Sequence, residues 1–265
     1  CKPQYFTSLH FTMQFTKLLK FSYSNGKLDD RFIFSIPAGY SCPRAGVCRT
    51  FANRETGKIL DKPKGNQIDY RCFAAMSEAR SPQCRQLRWH NYEAITKQCG
   101  EDALLISMLV MDSIRQSHRN YELFRIHEAG DMFSDAYFRS WILTAGVFPE
   151  IKFYAYTKSL NYWLHYKDHL PSNLYLTASL GGELDHLVTE NPDVFKRTAQ
   201  VVYSQEEADQ LGLEIDHDDS HCFGDKPFAL LIHGVQRAGS SASKAVSVLK
   251  KNGINGYNKM HRQKA

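Results

Sequence analysis

The sequence lacks any run of about 18 apolar residues, which is the length that a membrane-spanning helix requires. Its longest apolar stretch, residues 103–110, is much shorter. The N-terminal residues also lack the order of basic, apolar and small residues that defines a secretory signal. We therefore predict a soluble, cytoplasmic protein with no membrane partner. Because the chain begins with Cys1 rather than Met, we also expect a longer translated product.

Strong compositional bias is missing as well. With 43% hydrophobic residues, 16 Gly and 9 Pro among 265 residues, the composition excludes a disordered or collagen-like chain. The formal net charge of +5 is mild, although basic residues gather after position 249. That tail and the aromatic residues before position 24 allow nucleic-acid binding, but a solvated helix end and core packing explain them more simply. Nucleic acid is therefore only an alternative partner.

The cysteines do not form the pattern of a small disulfide-rich protein. Their number, seven, is odd, and the chain is large enough to fold without disulfides, so we expect reduced or metal-bound thiols. The two-residue spacing of zinc ribbons is absent. Instead, five residues separate Cys42 from Cys48, on a turn that Pro43 and Gly46 tighten directly after a predicted strand. Both sulfurs can therefore face one metal centre.

Cys72 is the third predicted ligand and follows a long loop. Three arginines adjoin these cysteines in the sequence: Arg44, Arg49 and Arg71. Positive charge should lower the thiol pKa values and offset the charge of a cluster. Thiolates are soft ligands that select zinc or iron–sulfur centres. We predict an iron–sulfur cluster, 4Fe–4S first, with zinc as the alternative. Cys222 is the first choice for a fourth ligand, Cys84 the second and an open position the third.

Short apolar segments alternate with helical patterns over most of the chain. The predicted strands cover residues 31–37, 123–127, 152–156, 174–179, 200–203 and 228–233. The predicted helices cover residues 71–98 (broken at Pro82), 102–116, 134–146, 160–169, 188–197, 205–211 and 240–251, and residues 40–69 are loop-like. This alternation predicts a parallel sheet. We expect an α/β fold, a partial or complete (β/α) TIM-like barrel over residues 32–257. An N-terminal extension (1–31) with a turn at Asn25-Gly26 precedes it, and a basic tail (258–265) follows.

Polar residues follow the predicted strands, where parallel α/β folds place their chemistry. His127 and Asp131 follow the second strand, Lys158 the third and Glu183 the fourth. We predict that these side chains line a polar mouth, where they tune the metal centre or position a substrate. Helix capping and salt bridges are the simpler explanation for each residue alone. One polar segment also offers a separate hard-ligand metal site, or only a solvated acidic loop: His217, Asp218, Asp219 and His221.

Five sequence blocks, taken together, resemble one family. They are SIPAGYSCP (35–43), RIHEAGD (125–131), FYAYTK (153–158), LTAS (176–179) and FALLIHG (228–234). The family occurs in bacteriophages and bacteria, is described as similar to the phage gene-88 product, and implies no settled activity.

The cysteine loop after the first strand also resembles, at a distance, the radical S-adenosylmethionine enzymes. That resemblance implies a partial barrel with a cluster at its mouth. Gly181-Gly182-Glu183 is similar to the glycine-rich motif with which those enzymes bind the methionyl amine. Their C-x3-C-x2-C triplet is absent, because Cys42 and Cys48 are six positions apart and Cys72 lies far downstream.

These features predict an iron–sulfur protein with a redox, electron-transfer or radical-type role at a barrel mouth. It would act with a small-molecule substrate or an electron-transfer partner, in the host cytoplasm if the protein is viral. One alternative is a structural-zinc hydrolase or nuclease, with acid–base roles for His127, Asp131, His217 and Asp219. The other is a nucleic-acid-binding or partner-binding phage module.

Overall fold

The computed structural model describes residues 14–24, 28–61 and 69–254. The predicted turn at Asn25-Gly26, the first part of the predicted N-terminal extension and the basic tail lie outside the described residues. The strands are β1 (Phe32–Ser35), β2 (Thr50–Ala52), β3 (Ile59–Asp61), β4 (Leu123–Ala129), β5 (Lys152–Thr157), β6 (Leu174–Ser179), β7 (Thr198–Val202) and β8 (Phe228–Leu231). The helices are α1 (Phe73–Arg80), α2 (Pro82–Gln98), α3 (Ala103–Gln116), α4 (Asp135–Val147), α5 (Leu160–Tyr166), α6 (His186–Glu190), α7 (Gln205–Gln210) and α8 (Ser241–Lys251), with 3-10 turns at Lys167–His169 and Ser220–Phe223.

Six strands form one parallel sheet in the order β1–β4–β5–β6–β7–β8. Each strand after β4 is added beside the one before it, after a connection that contains a helix. Strand β1 and most of β4 and β5 are buried, which explains their nearly continuous apolar sequences. The predicted parallel α/β sheet is confirmed. Among the described residues, β1 and β8 are the two edge strands of the sheet, and no strand pairing joins them.

The sheet is strongly curled. Tyr156 on β5 and Phe228 on β8 have ring centroids 6.1 Å apart, although three strand spacings separate these strands. In a flat sheet the backbones of these two strands would be about 14 Å apart, and side chains that stand perpendicular to the sheet would keep that separation. Residues 216–223, which we call the floor segment, fill the concave face, where Phe223 packs against Tyr154 and Tyr175 at 5.3 and 5.1 Å.

Irregular segments pair with both edge strands of the sheet, β1 and β8. Ser22 exchanges two backbone hydrogen bonds with Ile33 of β1, at 2.9 and 2.8 Å. At the other end, Ala229 of β8 donates to the Glu214 carbonyl at 2.8 Å and accepts from the Asp216 N–H at 2.9 Å. These contacts occupy backbone groups that an edge strand would otherwise present to another chain.

Residues 69–73, which we call the strap, join the region after β1 to the end of β8. Helix α1 follows the strap, and its Glu78 accepts from the Ala38 N–H at 2.8 Å, just beyond β1. In the strap, the Arg71 N–H donates to Gln236 Oε1 at 2.7 Å, and Gln236 Nε2 donates back to the Arg71 carbonyl at 3.3 Å. The two ends of the sheet are therefore bridged by side-chain contacts.

The main core lies between the sheet and its helices. Phe124 of β4 packs against Phe153 of β5 and Trp141 of α4, with centroids 5.1 and 5.4 Å apart. Residues 14–24 belong to this core, because Leu19 and Phe21 are buried in it. The aromatic ring of Phe21, within the aromatic-rich N-terminal region, is therefore a core residue. No helix among the described residues is both long and apolar enough to cross a membrane.

Two predictions of local structure are wrong. Residues 50–61, expected to be loop, form the antiparallel hairpin β2–β3, whose strands are too short to give a recognisable alternation. Its turn is fixed by Asn53, whose Oδ1 accepts from the Thr56 N–H at 2.8 Å. The helix expected over residues 188–197 ends at Glu190, because Pro192 disfavours a helical conformation at the residue before it.

Candidate functional site

A cavity of about 440 Å³ lies at the carboxyl ends of the strands. Its wall includes Asp131 after β4, Lys158 after β5 and His233 after β8. Parallel α/β folds bind ligands at this end of the sheet, and the volume is that of a small-molecule site. The cavity is also lined by three cysteines that are distant in sequence: Cys42, Cys48 and Cys72. The fold therefore brings the three predicted ligands to one place.

The cysteine loop (residues 42–48) is docked onto the segment that follows β6. The Val47 N–H donates to the Gly181 carbonyl at 3.0 Å, and the Glu183 N–H donates to the Arg44 carbonyl at 3.0 Å. A Cβ atom added to Gly46 would lie 2.6 Å from the Gly181 oxygen, so only glycine allows this approach. The backbone of residues 181–183 thus determines where the loop lies.

The Gly181-Gly182 pair has a structural role in this docking. Both amide groups donate to the carboxylate of Asp185, at 2.7 and 3.0 Å. Gly181 has φ +87°, and a Cβ there would lie 2.7 Å from the Val47 side chain. The motif that resembles a methionyl-binding element therefore has its amides occupied within the protein and packs against the cysteine loop.

Burial controls the chemistry of the thiols. It raises the pKa of Cys72 to about 11, and the nearby thiol of Cys48 adds to this effect. It also raises the pKa of Cys42 well above its ordinary value, with further contributions from Asp131 and Cys72. The expectation of lowered thiol pKa values is therefore wrong for Cys42 and Cys72. Each of these thiols must release a proton to bind a metal, so metal binding should depend on pH.

The arginines do not lower these pKa values because carboxylates neutralise them. Arg71 forms an ion pair with Asp61 at 2.6 Å. Arg49 lies 3.4 Å from Glu183, and Arg44 lies 3.9 Å from the same carboxylate. Glu183, predicted at the mouth, is thus a partly exposed ion-pair partner that does not line the cavity.

Neither Cys222 nor Cys84 joins the other three cysteines at the cavity. Cys222 is fully buried beneath it, where it packs with Tyr154 and Phe228. Cys84 lies on α2, and neither cysteine lines the cavity. Within residues 14–24, 28–61 and 69–254, no group of three or more His, Cys, Asp or Glu side chains is arranged to hold a single metal ion.

Asp131 lines the cavity and organises its wall. Its carboxylate accepts from the Thr157 hydroxyl at 2.6 Å, the Lys158 N–H at 2.8 Å and the Met132 N–H at 2.7 Å. Burial nevertheless raises the pKa of Asp131. The carboxylate therefore joins the ends of β4 and β5 and stands close enough to Cys42 to influence its thiol.

His127 also lines the cavity, but it is a buried neutral side chain. Burial, assisted by the charge of Arg125, lowers the pKa of His127 to about 3. Its Nε2 lies 2.9 Å from the Tyr137 hydroxyl of α4, and its Nδ1 has no hydrogen-bond partner among the described residues. A histidine with this pKa does not serve as a general base near pH 7 without a change in its surroundings.

The Lys158 ammonium fixes the segment on which the cysteine loop docks. It donates to the Ser179 carbonyl and hydroxyl, both at 2.9 Å, and to the Leu180 carbonyl at 2.6 Å. These three bonds use the full donor capacity of an ammonium group. Lys158 therefore places a buried positive charge in the cavity wall, and no carboxylate in the described part of the chain is hydrogen-bonded to its ammonium.

One part of the cavity wall, which we call the cavity floor, is formed by Arg125, Tyr156 and Asp219, a set that sequence analysis did not bring together. Arg125 Nη1 donates to the Asp219 carboxylate at 2.7 Å, and the Tyr154 hydroxyl donates to the same oxygen at 3.0 Å. An arginine between the apolar residues Phe124 and Ile126 of this mostly buried strand was the available signal. Asp219, predicted as a hard ligand or acid–base residue, is instead the ion-pair partner of Arg125.

A sequence model of the gene product 88 family matches residues 12–251. The chain belongs to the gene product 88 family. It is similar to the Gene 88 protein of Mycobacterium phage D29, with 28% identity over 112 residues that cover 40% of this chain and 47% of the relative. The match thus spans about half the length of that relative. No solved structure matches the chain.

In this member of the gene product 88 family, His221 is not arranged as a metal ligand. Its Nδ1 lies 2.9 Å from Asp216 and its Nε2 3.1 Å from Glu214, so both ring nitrogens are engaged. Partial burial acts to lower the pKa of His221, but these two hydrogen bonds outweigh it and raise the pKa. His221, predicted as a ligand of a hard-ligand site, therefore holds the floor segment in place through these two contacts.

Proposed function

We propose that the chain holds an iron–sulfur cluster on Cys42, Cys48 and Cys72 at the mouth of a partial (β/α) barrel, for redox, electron-transfer or radical-type chemistry. The observation that carries this proposal is that three cysteines from two segments line one cavity at the carboxyl ends of the strands. The chain-order strand topology and the strong curl of the sheet support the partial barrel.

The described residues hold no group of three or more metal-ligating side chains arranged around one ion. A cluster is larger than a single ion and takes its thiolates on different irons, so its ligands need not surround one point. Three protein thiolates would leave one iron of a 4Fe–4S cluster facing the cavity, within reach of a small molecule. The negative charge of such a centre would be partly offset by Lys158 in the same wall.

When bound, the cluster would supply one-electron chemistry, and the protein would supply position and environment. Residues 181–183 hold the cysteine loop, while Asp131 and Lys158 hold the strand ends around it. Apolar side chains on the β7–β8 side, among them Val201 and Leu230, would limit the access of water to a substrate. An electron-transfer partner or a small-molecule substrate in the host cytoplasm is part of this proposal.

The test is metal and sulfide analysis after anaerobic purification and reconstitution. We expect a brown protein with about four irons and matching sulfide per chain, visible charge-transfer absorption and a paramagnetic signal after reduction. Serine in place of Cys42, Cys48 or Cys72 should remove most of the iron. Cys99→Ser, in the main core, is the matched control and should keep it. A colourless, iron-free wild-type protein prepared in this way would overturn the proposal.

Cys222→Ser decides the fourth ligand. Because Cys222 is buried away from the cavity lining, we expect this variant to keep its iron and its spectrum. Loss of iron equal to that of Cys42→Ser would place Cys222 in the ligand set. In that case the floor segment would have to rearrange when the cluster binds.

One addition to the reconstituted protein and one metal analysis separate the remaining alternatives. A change in the paramagnetic signal on adding S-adenosylmethionine would favour radical-type chemistry over simple electron transfer. One zinc and no iron per chain would instead favour the structural-zinc hydrolase or nuclease, because the same thiolates suit zinc. That alternative also requires nuclease activity that His127→Ala abolishes.

A further inference from the structure

Arg125 is held rigidly at the floor of the cavity. Its Nε donates to the His127 carbonyl at 3.2 Å, and its Nη1 donates to Asp219 at 2.7 Å. Its guanidinium lies over the Tyr156 ring, 5.3 Å from the ring centroid. Two hydrogen bonds and one aromatic face thus fix the plane of the guanidinium, and the residue is only 9% exposed.

Most of the donor capacity of Arg125 is not used by the protein. A guanidinium carries five N–H groups, and the two hydrogen bonds above occupy two of them. Nη2 has no hydrogen-bond partner among the described residues, and the residue lines the cavity. Nη2 is not among the fully buried side-chain atoms that lack a partner in the described part of the chain, so it is open to the cavity. The floor therefore presents charged N–H donors that a ligand in the cavity would engage.

Arg125 and the three thiols line the same cavity, whose volume of about 440 Å³ suits a small molecule. The Arg125 side chain runs toward the carboxyl end of β4, because its Nε donates to the carbonyl of His127. Its guanidinium therefore faces the space that the cysteines also border.

We propose that the cavity floor is an oxyanion site, in which Arg125 binds a carboxylate or a phosphate of the substrate and holds its other end toward the three cysteines. The planar fork of Arg125 matches the two oxygens of such a group. Asp219 limits the net charge of the floor and orients the guanidinium toward the ligand. The role of this ligand as a substrate rests on the proposed function, but its binding does not require a metal.

The test measures Tm at constant ionic strength while chloride is replaced by acetate or by inorganic phosphate. Specific binding raises Tm along a saturation curve, whereas a general salt effect rises without saturation. We expect a saturable rise of a few degrees with acetate, with phosphate or with both, and the two arms identify the chemical class. In the double variant Arg125→Met/Asp219→Asn, which removes both charges together, that rise should be lost.

The exposed pair of Arg115 and Asp112, 3.9 Å apart, provides the matched control. Arg115→Met/Asp112→Asn makes the same chemical changes with the same net charge and should keep the saturable rise. If the floor variant does not fold, Arg125→Lys serves in its place and should weaken binding at least tenfold, because an ammonium lacks the planar fork.

Three results would overturn the proposal: no saturable rise in the wild-type protein, a rise that the floor variant retains, or a rise that the control also loses. A wild-type protein that holds iron but shows no saturable rise would reject the oxyanion site alone. A protein that shows the saturable rise but holds no iron would reject the cluster alone. The two proposals therefore fail separately.

Discussion

The carbonyl oxygen of Gly181 accepts from the Val47 N–H at 3.0 Å, and a Cβ atom on Gly46 would lie 2.6 Å from the same oxygen. Two backbone segments, one after β1 and the other after β6, therefore meet without room for a methyl group. This contact, more than any side chain, determines where Cys42 and Cys48 stand.

Gly46→Ala should separate the cysteine loop from residues 181–183. Because the obstructing atom belongs to the backbone, we expect a loss of about 1–3 kcal/mol in the free energy of unfolding, measured by urea denaturation. Iron retention after reconstitution should fall as well. Gly146→Ala is the control, since nothing lies within 4 Å of its added Cβ and alanine favours the helix α4. Equal stability of the two variants would contradict this account of the docking.

The sequence predicts the sheet well, because strands that are buried in a parallel sheet have short, nearly continuous apolar sequences. All six predicted strands correspond to strands of the sheet, since segments such as 152–156 are apolar and are bounded by turn residues. The hairpin β2–β3 was not predicted, because strands of three residues are too short to show an alternating pattern. The early end of α6 was not predicted either, because the effect of Pro192 falls on the residue before it, for which the proline disfavours a helical conformation.

The candidate site is less readable from sequence because its contacts are distant along the chain. Cys42, Cys48 and Cys72 were selected by residue type, and the fold places them together. Their pKa values were predicted in the wrong direction, because sequence neighbours such as Arg71 are paired elsewhere, with Asp61. Arg125 was not singled out because its partner, Asp219, lies 94 residues away.

His127 should make the fold sensitive to acid. Its pKa of about 3 in the folded protein lies below the value of about 6.5 in an unfolded chain. Between these values the unfolded state binds a proton that the folded state excludes, so stability is full above about pH 6.5 and falls as the pH approaches 3. A tenfold difference in proton affinity between the two states corresponds to about 1.4 kcal/mol, so the loss should reach several kcal/mol.

His127→Gln should reduce the loss of unfolding free energy between pH 7 and pH 4, as measured by urea denaturation at each pH. Glutamine does not titrate there, although it also loses part of the contact with Tyr137. The exposed His169 provides the control, and His169→Gln should keep the wild-type slope. If His127→Gln leaves the pH dependence of the unfolding free energy unchanged, other groups cause the loss of stability in acid.

Asp219 should contribute strongly to stability through its buried partner. Asp219→Ala leaves the Arg125 guanidinium buried without its carboxylate, which typically costs about 3–5 kcal/mol. The alanine must also adopt φ +67°, a left-handed conformation that asparagine tolerates better. Asp219→Asn should therefore be destabilised less than Asp219→Ala in urea denaturation.

Asp112→Ala, at the exposed pair with Arg115, should change stability by less than about 1 kcal/mol. If all three variants lose similar stability, the buried ion pair does not explain the effect.

If the proposed cluster is present, Lys158 should act on it through both its position and its charge. Its ammonium holds Ser179 and Leu180, which precede the segment that docks the cysteine loop, and it lines the same cavity as the thiols. Reduction adds negative charge to a cluster, so a nearby positive charge stabilises the reduced state. Lys158→Met should therefore give a more negative reduction potential in a dye-mediated titration, and a lower iron content per chain.

Lys158→Arg retains the charge and should restore most of the potential even where iron content stays low. Lys152→Met, at the exposed start of β5, removes the same charge at a distance and should leave the potential unchanged. An unaltered potential in Lys158→Met would show that this lysine only supports the backbone.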